Sequence, residues 1–506
     1  MKKIKYKLIW ALLALSPLFH ACSDYLEIDP ANVRAIAGFD DVKQAFSGYL
    51  YHYTGNATPV AAGTGPNRVF SPEMIMMFES YSDNIDFENS IDIYLSSSNS
   101  SVVATDKELF YANHFLYNEF SAPEDFWNDY YQGIGFINAL IDELPEVSGG
   151  TQEERDQLEG EMKIHRAFFI FKLLQHFATY TDDAMGIPVY LHSGGEVVGV
   201  PVPRRTHTEV YNIILEDLGQ VKAMLERTPP RESFNVMYNT QYLNNLLAQV
   251  YWFKAESPAK ANDDYANAKE SALIAIEGTA GLIPQSVANF KLKLQGTFGD
   301  YPGIFQWSTA TPRATSPIFG DVFGRQPQRM GLTQDFMDIL DPADIRYGAI
   351  ISNGVLNTRE WPDGVAFGPL AQKRGNFYLF EPEEAYLILA EAHYRLGEEA
   401  EAVSILNEFK SFRNAGDATG LTGDVLLQEI KNERRKEFIG AGDHRWLDLK
   451  RYGDKTITRT ITFFQQEWTE TVEPNGYQYA LPIPVEELDV NPDLNQNPGW
   501  TIKTWN

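Results

Sequence analysis

The sequence predicts a mainly α protein, in which helical pairs form a scaffold and long irregular loops, with a few short strands, are inserted between them. Apolar residues recur at helical spacing over much of the chain, and stretches rich in Gly, Pro, Ser and aromatic residues separate these helical segments. The 506 residues are 44% apolar and 22% charged, which is a globular composition. We therefore expect about four degenerate helix pairs in one large domain.

The clearest helical pair lies at residues 382–413, PEEAYLILAEAHYRLGEEAEAVSILNEFKSFR. Apolar residues follow the helical period on both sides of a break, so the segment predicts a helical hairpin. The hairpin fits the tetratricopeptide pattern, in which small residues let two antiparallel helices approach closely. His393 stands where a Tyr is usual. The signature positions are occupied by Tyr386, Leu389, Ala390, Gly397, Ala402, Leu406 and Phe409.

Looser helical pairs precede this hairpin. The segment YLNNLLAQVYWFKAE continues across an insertion into a helix in which Ala268, Ala272 and Ala275 recur at helical spacing. The segment THTEVYNIILEDLGQVKAMLE begins a further helix, with Thr206 and Thr208 as candidate caps. Helical pairs that recur with irregular insertions are typical of a degenerate solenoid. We expect the repeat helices at roughly residues 40–53, 124–180, 206–280 and 382–452.

The N-terminus has the pattern of a secretory signal. Four lysines precede an apolar run, Leu8 to Phe19, which is too short to span a bilayer of ~30 Å at ~1.5 Å per residue. Cys22, the one cysteine, follows after His20 and Ala21 and resembles the lipid-acceptor residue of a bacterial lipobox, although Phe19 and His20 depart from the usual pattern. We expect residues 1–21 to be removed, lipid on Cys22 and a single domain over residues 22–506. A plain secretory signal with a chance cysteine is the alternative.

Charge and cysteine content exclude several classes of function. The formal net charge is −27, so most of the surface repels a polyanion, and nucleic acid is not an expected partner. A single cysteine forms no disulfide within the chain and no CxxC metal site.

Catalytic and metal-binding motifs are missing from the sequence. It has no HExxH, GxSxG, P-loop or EF-hand pattern. Gly133 and Gly135 lie within a helical pattern and lack the third glycine of a dinucleotide loop, so we expect packing there. The stretch SPAK lacks its companion motifs, and His165 and His176 share a helix without a third ligand. We predict no enzyme, no cofactor and no metal, although a glycosidase carboxylate pair carries no sequence mark.

Five segments carry the most specific pattern of the sequence: EMKIHRAFFIFKLLQHFATYTDDAMGIPVY, RRTHTEVYNIILEDL, EAYLILAEAHYRLG, NERRKEFIGAGDHRWLDLKRYG and LPIPVEELDVNPDLNQNPGW. In this order they resemble the SusD/RagB family of outer-membrane lipoproteins of the Bacteroidota. Together with the lipobox they cover most of the chain, and their combination is much more specific than any one of them.

The resemblance implies a SusD-like fold and a non-enzymatic lipoprotein at the cell surface. Such a protein covers a SusC-like TonB-dependent transporter as a lid and delivers an oligosaccharide to it, or in some members a peptide. The tetratricopeptide-like helices face the transporter, and variable loops, here roughly residues 54–123 and 296–378, carry the ligand.

Candidate ligand contacts come from both of these loop regions. Sugar rings present C–H faces that stack on aromatic side chains, and their hydroxyl groups need polar partners. Trp307 is the strongest single candidate, although the alternation in GIFQWST also favours its burial. At every position, packing within the loops is the alternative. The candidates are Tyr81, Asp83, Tyr94, Asn99, Tyr111, His114, Tyr301, Trp307, Phe319, Phe323 and Arg325.

The segment ERRKEFIGAGDHRWLDLKRYG, residues 433–453, concentrates basic residues in an acidic protein. Acidic residues stand among them, and Glu433 and Lys436 have the spacing of an ion pair on one helical face. We interpret the segment as two helices joined by a turn, with Asp443 as the cap of the second helix and Trp446 and Leu449 buried. Its charges then form part of the scaffold.

Overall fold

The computed structural model describes residues 36–53, 78, 82–86, 122–194, 199–231, 237–295, 306–308, 331–352, 355–356, 376–378, 380–439, 443–463 and 466–500. Helices dominate this part of the chain, as the sequence predicts. The helices are α1 Phe39–Tyr53, α2 Ala122–Glu143, α3 Gln152–Phe177, α4 His207–Leu225, α5 Thr240–Lys254, α6 Asp264–Ile276, α7 Val287–Gln295, α8 Gln334–Met337, α9 Ile345–Ile350, α10 Pro382–Arg395, α11 Glu399–Phe412, α12 Gly423–Glu437, α13 His444–Tyr452 and α14 Val485–Val490. Two short 3₁₀ helices span Ala280–Leu282 and Tyr477–Tyr479.

Sequence-local capping starts two of the long helices. The Thr151 side chain accepts the Glu154 N–H, and the Glu154 carboxylate in turn accepts the Thr151 N–H, so α3 begins with a capping box. Thr206 and Glu209 form the same arrangement at the start of α4. Of the two predicted caps of this helix, Thr206 is therefore the one that acts. Thr208 instead donates to Asp183.

The long helix α3 lies at the centre of the fold. Nearly all its side chains beyond the first turn are buried, because α2 and α4 pack along it on either side. The helices α5 and α6 form the next pair, and α6 also packs on α10, which pairs with α11. This succession of antiparallel pairs is the predicted helical-repeat architecture.

The tetratricopeptide positions pack as the pattern requires. Ala390 and Ala402 are fully buried where α10 meets α11, and Leu406 and Phe409 fill a small core that extends to α12. Gly397 turns the chain between the two helices with a φ of 79°, a left-handed conformation that favours glycine. In the looser pair, the predicted alanines of α6 are buried.

Among the described residues, short strands form three small sheets. The strands are β1 Ile85–Asp86, β2 Gln306–Ser308, β3 Gly331–Leu332, β4 Ile351–Ser352, β5 Val355–Leu356, β6 Asn376–Tyr378, β7 Ile457–Phe463 and β8 Gln466–Val472. One sheet has the order β1-β3-β5-β4, and the others pair β2 with β6 and β7 with β8. Every pair is antiparallel.

None of the described helices combines the length and the apolar character that crossing a bilayer requires.

Candidate ligand-binding site

The register of β1 and β3 brings together the strand ends that flank two of the predicted ligand loops. Asp86, the last residue of β1, pairs with Gly331, the first residue of β3. Residues 87–121 therefore begin beside the point where residues 309–330 end. The two loop regions that the sequence assigns to the ligand are thus attached side by side, although they lie far apart in the chain.

The strand end that precedes a third segment, residues 357–375, lies at the same end of this sheet. Gly331 also pairs with Val355, so β5 runs toward the same end of the sheet and residues 357–375 begin there. In the second sheet, Ser308 pairs with Asn376, so residues 309–330 begin beside the point where residues 357–375 end. We call Asp86, Ser308, Gly331, Leu356 and Asn376 the ligand-side strand ends.

Two predicted contact residues lie among the described residues. Trp307 is the middle residue of β2 and pairs with Phe377 of β6, directly before one of the ligand-side strand ends. Asp83 is buried just before β1. The other candidates lie outside the described residues, as does Cys22: Tyr81, Tyr94, Asn99, Tyr111, His114, Tyr301, Phe319, Phe323 and Arg325.

The carboxylate of Asp83 is held by basic side chains from the end of the chain. Arg445 donates to both of its oxygens, at 2.6 and 2.9 Å, and Lys455 donates to Oδ2. Arg435 lies 3.3 Å from Oδ2. Burial opposes ionisation, but these cations outweigh it and hold the pKa of Asp83 well below its usual range. The carboxylate therefore anchors β1, and a ligand contact by Asp83 remains a prediction.

Arg435 extends this anchor to β3. Its guanidinium donates to the Asp83 carbonyl at 2.7 Å, to Asn84 Oδ1 at 2.9 Å and to Asp335 Oδ2 at 2.8 Å. Thr333, directly after β3, donates its hydroxyl to the Asp83 carbonyl at 2.7 Å. We call the set formed by Asp83, Asn84, Asp335, Arg435, Arg445 and Lys455 the strand anchor. It fixes the start of β1 and the end of β3 on α12 and α13.

The remaining charges of residues 433–453 are buried within the helical scaffold. Arg451 lies 3.0 Å from Glu391 and 3.6 Å from the centre of the Trp252 ring. Arg434 pairs with Asp448 at 3.1 Å and also lies over Trp252. The predicted pair between Glu433 and Lys436 is present. The segment is thus the charged scaffold that the sequence predicts, with Trp446 and Leu449 buried as expected.

Lys450 has a different environment from the other buried cations of this segment. It donates to the carbonyls of Gln175 and Ala178 at the end of α3, at 2.5 and 2.7 Å. Burial lowers the pKa of its ammonium group well below the usual value. The Nζ–H groups of Lys450 therefore supply hydrogen bonds to carbonyl groups that the helix end leaves without backbone partners.

The prediction that Asp443 caps α13 with its side chain is wrong. Asp443 occupies the N-cap position, but its side chain makes no capping hydrogen bond. Its Oδ2 accepts from Lys172 at 3.0 Å and lies 2.6 Å from His176 Nε2. The Asp443 carboxylate thus bonds to two side chains of α3 instead of to the backbone N–H groups of α13. These bonds link the central helix to residues 433–453.

One group of three carboxylates among the described residues has the spacing of a metal site. Glu381, Glu383 and Glu437 are buried close together. Lys293 Nζ lies between them, at 2.6, 2.9 and 2.8 Å from one oxygen of each. Because the ammonium group supplies the positive charge that a metal ion would supply, the cluster is a structural ion-pair network.

The structure also shows the role of three sequence features for which no catalytic or metal-binding function was predicted. A Cβ at Gly133 would lie 2.6 Å from Tyr49 Oη and 2.9 Å from a Phe169 ring carbon, so this glycine permits close packing. Ser257 caps a local turn through the Lys254 carbonyl at 2.8 Å. His165 lies 3.3 Å from Glu161 Oε1, separate from His176.

The described residues define a helical-repeat protein with short paired antiparallel strands between its helices. A model of the SusD family matches residues 371–500, and a model described as starch-binding and associating with the outer membrane matches residues 73–251. The chain belongs to the SusD family, as the resemblance of its segments predicts.

Individual relatives match this chain over different shares of its length. The SusD-like protein P25 of Formosa agariphila is 21% identical, over 97% of this chain and 98% of its own. The starch-binding protein SusD of Bacteroides thetaiotaomicron is 31% identical, over 24% of this chain and 21% of its own. A solved SusD superfamily structure from the same species has a TM-score of 0.65 at 20% identity, over 91% of this chain and 100% of that one. The predicted SusD-like fold is confirmed.

Proposed function

We propose that this protein binds a nutrient oligosaccharide at the ligand-side strand ends and delivers it to a SusC-like TonB-dependent transporter of the outer membrane. The observation that carries the proposal is the strand register, which attaches residues 87–121, 309–330 and 357–375 next to one another. These segments contain most of the aromatic and polar residues that the sequence nominates for a sugar.

Membership of the SusD family supports the ligand class and the location. The description of one matching family names starch binding and association with the outer membrane, and a relative is named as a starch-binding protein. The protein is then a surface lipoprotein that is held in the outer membrane by lipid on Cys22. Its role is binding and transfer, without catalysis.

A glycan panel tests the ligand. Purified protein is run by affinity electrophoresis against soluble polysaccharides, and positive glycans are measured by calorimetry. We expect Trp307→Ala to weaken binding by about tenfold, because a lost stacking contact is worth about 1 kcal/mol or more. Trp307→Phe keeps an aromatic ring and is the matched control, with most of the affinity retained.

Two outcomes overturn the sugar proposal. Binding of a peptide digest, with no retention by any glycan, identifies a peptide-binding member of the same import system. Release of reducing ends from a bound glycan, abolished by mutation of one acidic residue, identifies a glycoside hydrolase that uses a carboxylate pair.

The partner and the anchor are tested in cells. We expect a TonB-dependent transporter to copurify with the tagged protein from outer membranes. Cys22→Ala is expected to release the protein from the membrane fraction and to abolish incorporation of labelled fatty acid. Fatty-acid labelling that survives this change contradicts the anchor, and purification without a transporter contradicts the delivery role.

A further inference from the structure

A concavity with a volume of about 330 Å³ lies between α2, the extended segment after α3, and α14. Trp127, Tyr131, Gly135, Tyr190, His192 and Glu487 line it. None of these residues belongs to the ligand-side strand ends or to the strand anchor. The volume is within the range of ~300–1,000 Å³ that small-molecule sites occupy. We call it the α2 cavity.

One face of α2 holds the opposite wall of the cavity in place. Tyr131 Oη donates to the Pro188 carbonyl at 2.7 Å, and Asn138 Nδ2 donates to the Tyr190 carbonyl at 2.9 Å. Asp142, further along the same face, accepts the Ser193 N–H at 2.8 Å. These side chains lie four or seven residues apart, so a single helix sets the path of residues 188–193. The cavity is therefore formed before any ligand binds.

Aromatic rings form the walls of the cavity. The rings of Tyr131 and Tyr190 are nearly perpendicular, with 5.9 Å between their centroids and 85° between their planes. Trp127 lies against Tyr131, 4.6 Å away and tilted by 51°. Gly135 supplies no side chain, and a Cβ built there would meet nothing within 4 Å. The glycine thus leaves room between the rings.

Negative charge without a balancing cation is the other feature of the α2 cavity. Glu487 lines it, whereas no Lys or Arg does. Glu487 has no ion-pair partner among the described residues. Burial first, and the charge of Glu487 next, raise the pKa of Tyr190. Arg204 interacts electrostatically with Tyr131 but does not line the cavity. Its guanidinium group donates instead to the Gly186 carbonyl, the Asn495 carbonyl and Asn497 Oδ1, at 2.8–3.0 Å.

We propose that the α2 cavity binds an alkylammonium group, with the cation against the faces of Tyr131 and Tyr190 and Glu487 as its counter-charge. Perpendicular aromatic walls are suited to a compact cation, because each ring presents its negative face to it. An anionic ligand would meet Glu487 and is excluded. The group is either a free methylated amine or the lysine side chain of a peptide.

A neutral sugar fits the α2 cavity less well, because few hydrogen-bonding groups remain for its hydroxyls. Ser193 and His192 are bonded to Asp142, and the Tyr131 hydroxyl is bonded to Pro188. Glu487, the Tyr190 hydroxyl and His192 Nε2 are left for the hydroxyl groups of a sugar ring, because His192 is bonded to Asp142 through Nδ1 alone. Most of these hydroxyl groups would therefore lose their hydrogen bonds to water without replacement.

Calorimetry with choline tests the proposal. The matched control is the uncharged isostere, in which a tert-butyl group replaces the trimethylammonium group. We expect choline to bind at least about tenfold more tightly than the isostere, since the charge supplies most of the affinity. A peptide with one central lysine and its norleucine counterpart distinguish the two sources of the ammonium group.

Three variants locate the site. Glu487→Gln and Tyr190→Ala are each expected to weaken choline binding by about tenfold. Gly135→Leu fills the space between the rings and should abolish binding, while a leucine also favours the helix. Glu486→Gln, on the same short helix and exposed, is the control and should bind as the unmodified protein does.

Other results overturn the proposal. Equal affinity for choline and its isostere shows an apolar pocket without cation recognition, and undiminished binding by Glu487→Gln places the cation elsewhere. No heat with any amine or lysine peptide rejects an ammonium site. Competition by a monosaccharide assigns the α2 cavity to neutral sugar. Because Trp307→Ala leaves this cavity intact, failure here and failure of the glycan proposal are separately visible.

Discussion

The helical scaffold and the ligand-side strand ends are stabilised by different interactions. The helices satisfy their own backbone groups and bury long apolar faces against one another. The strands β1 and β3 have two residues each, too short to be stable alone. They keep their position because the strand anchor ties them to α12 and α13. Stability and ligand geometry therefore depend on separate sets of residues, which mutations can separate.

The largest loss of stability is expected from Arg451→Ala, within the scaffold. Glu391 is fully buried, and although burial opposes its ionisation, Arg451 and Arg395 bring its pKa down to about 2. Removing Arg451 leaves much of that negative charge uncompensated, which costs about 3–5 kcal/mol. Urea unfolding at neutral pH measures the loss. The control Arg395→Ala removes a more exposed partner of Glu391 and should cost about 1 kcal/mol; equal losses for both variants contradict this account.

The next largest loss of stability is expected when the pH is lowered. Burial lowers the pKa of both His176 and His207 from 6.5 to about 4. The unfolded chain therefore binds protons that the folded protein does not, so stability falls as the pH decreases from 6.5 to about 4. Each histidine contributes up to about 3 kcal/mol to this fall.

Unfolding at a series of pH values measures the effect of the histidines. His207→Gln should roughly halve the slope of stability against pH between pH 6.5 and 5. The control His192→Gln changes an exposed histidine and should keep the original slope. A slope that His207→Gln leaves unchanged shows that His207 is protonated in the folded protein.

A smaller loss is expected from Arg445→Ala, which acts at the strand anchor between the two regions. Asp83 keeps Lys455 and Arg435 as partners, so the charge is not isolated, and we expect a loss of about 2 kcal/mol. Glycan affinity should change less than stability. A double-mutant cycle with Asp83→Ala measures the coupling. An unchanged melting temperature together with lost binding would place the ligand at Arg445 itself.

The smallest loss of stability is expected at the start of α4, which is not part of the ligand-side strand ends. Thr206→Ala removes the capping hydroxyl and should cost about 1 kcal/mol without a change in glycan affinity. Thr208→Ala is the control, since the exposed Thr208 side chain donates only to Asp183, and it should cost less. A reversed order of the two variants contradicts the capping box seen at Thr206.

Much of the scaffold could be predicted from residues close together in the chain. The period of Leu389, Ala390, Leu406 and Phe409 predicts which faces of α10 and α11 are buried, and the structure confirms it. The site could be predicted only as loop regions. Their adjacency depends on strand pairs as short as Asp86 with Gly331, for which the sequence carries no periodic signal.

The helical pairs, the family and the structural character of residues 433–453 could be predicted from the sequence, because helical period, caps and charge spacing are local properties. Which distant groups these residues contact depends on how the helices pack. The packing of the chain joins Arg445 to Asp83 and places Lys293 among three carboxylates. It also pairs Asp443 with Lys172 and His176 instead of with the backbone at the start of α13. A sequence pattern shows which face of a helix is buried, but the partner on the other side depends on how the whole chain packs.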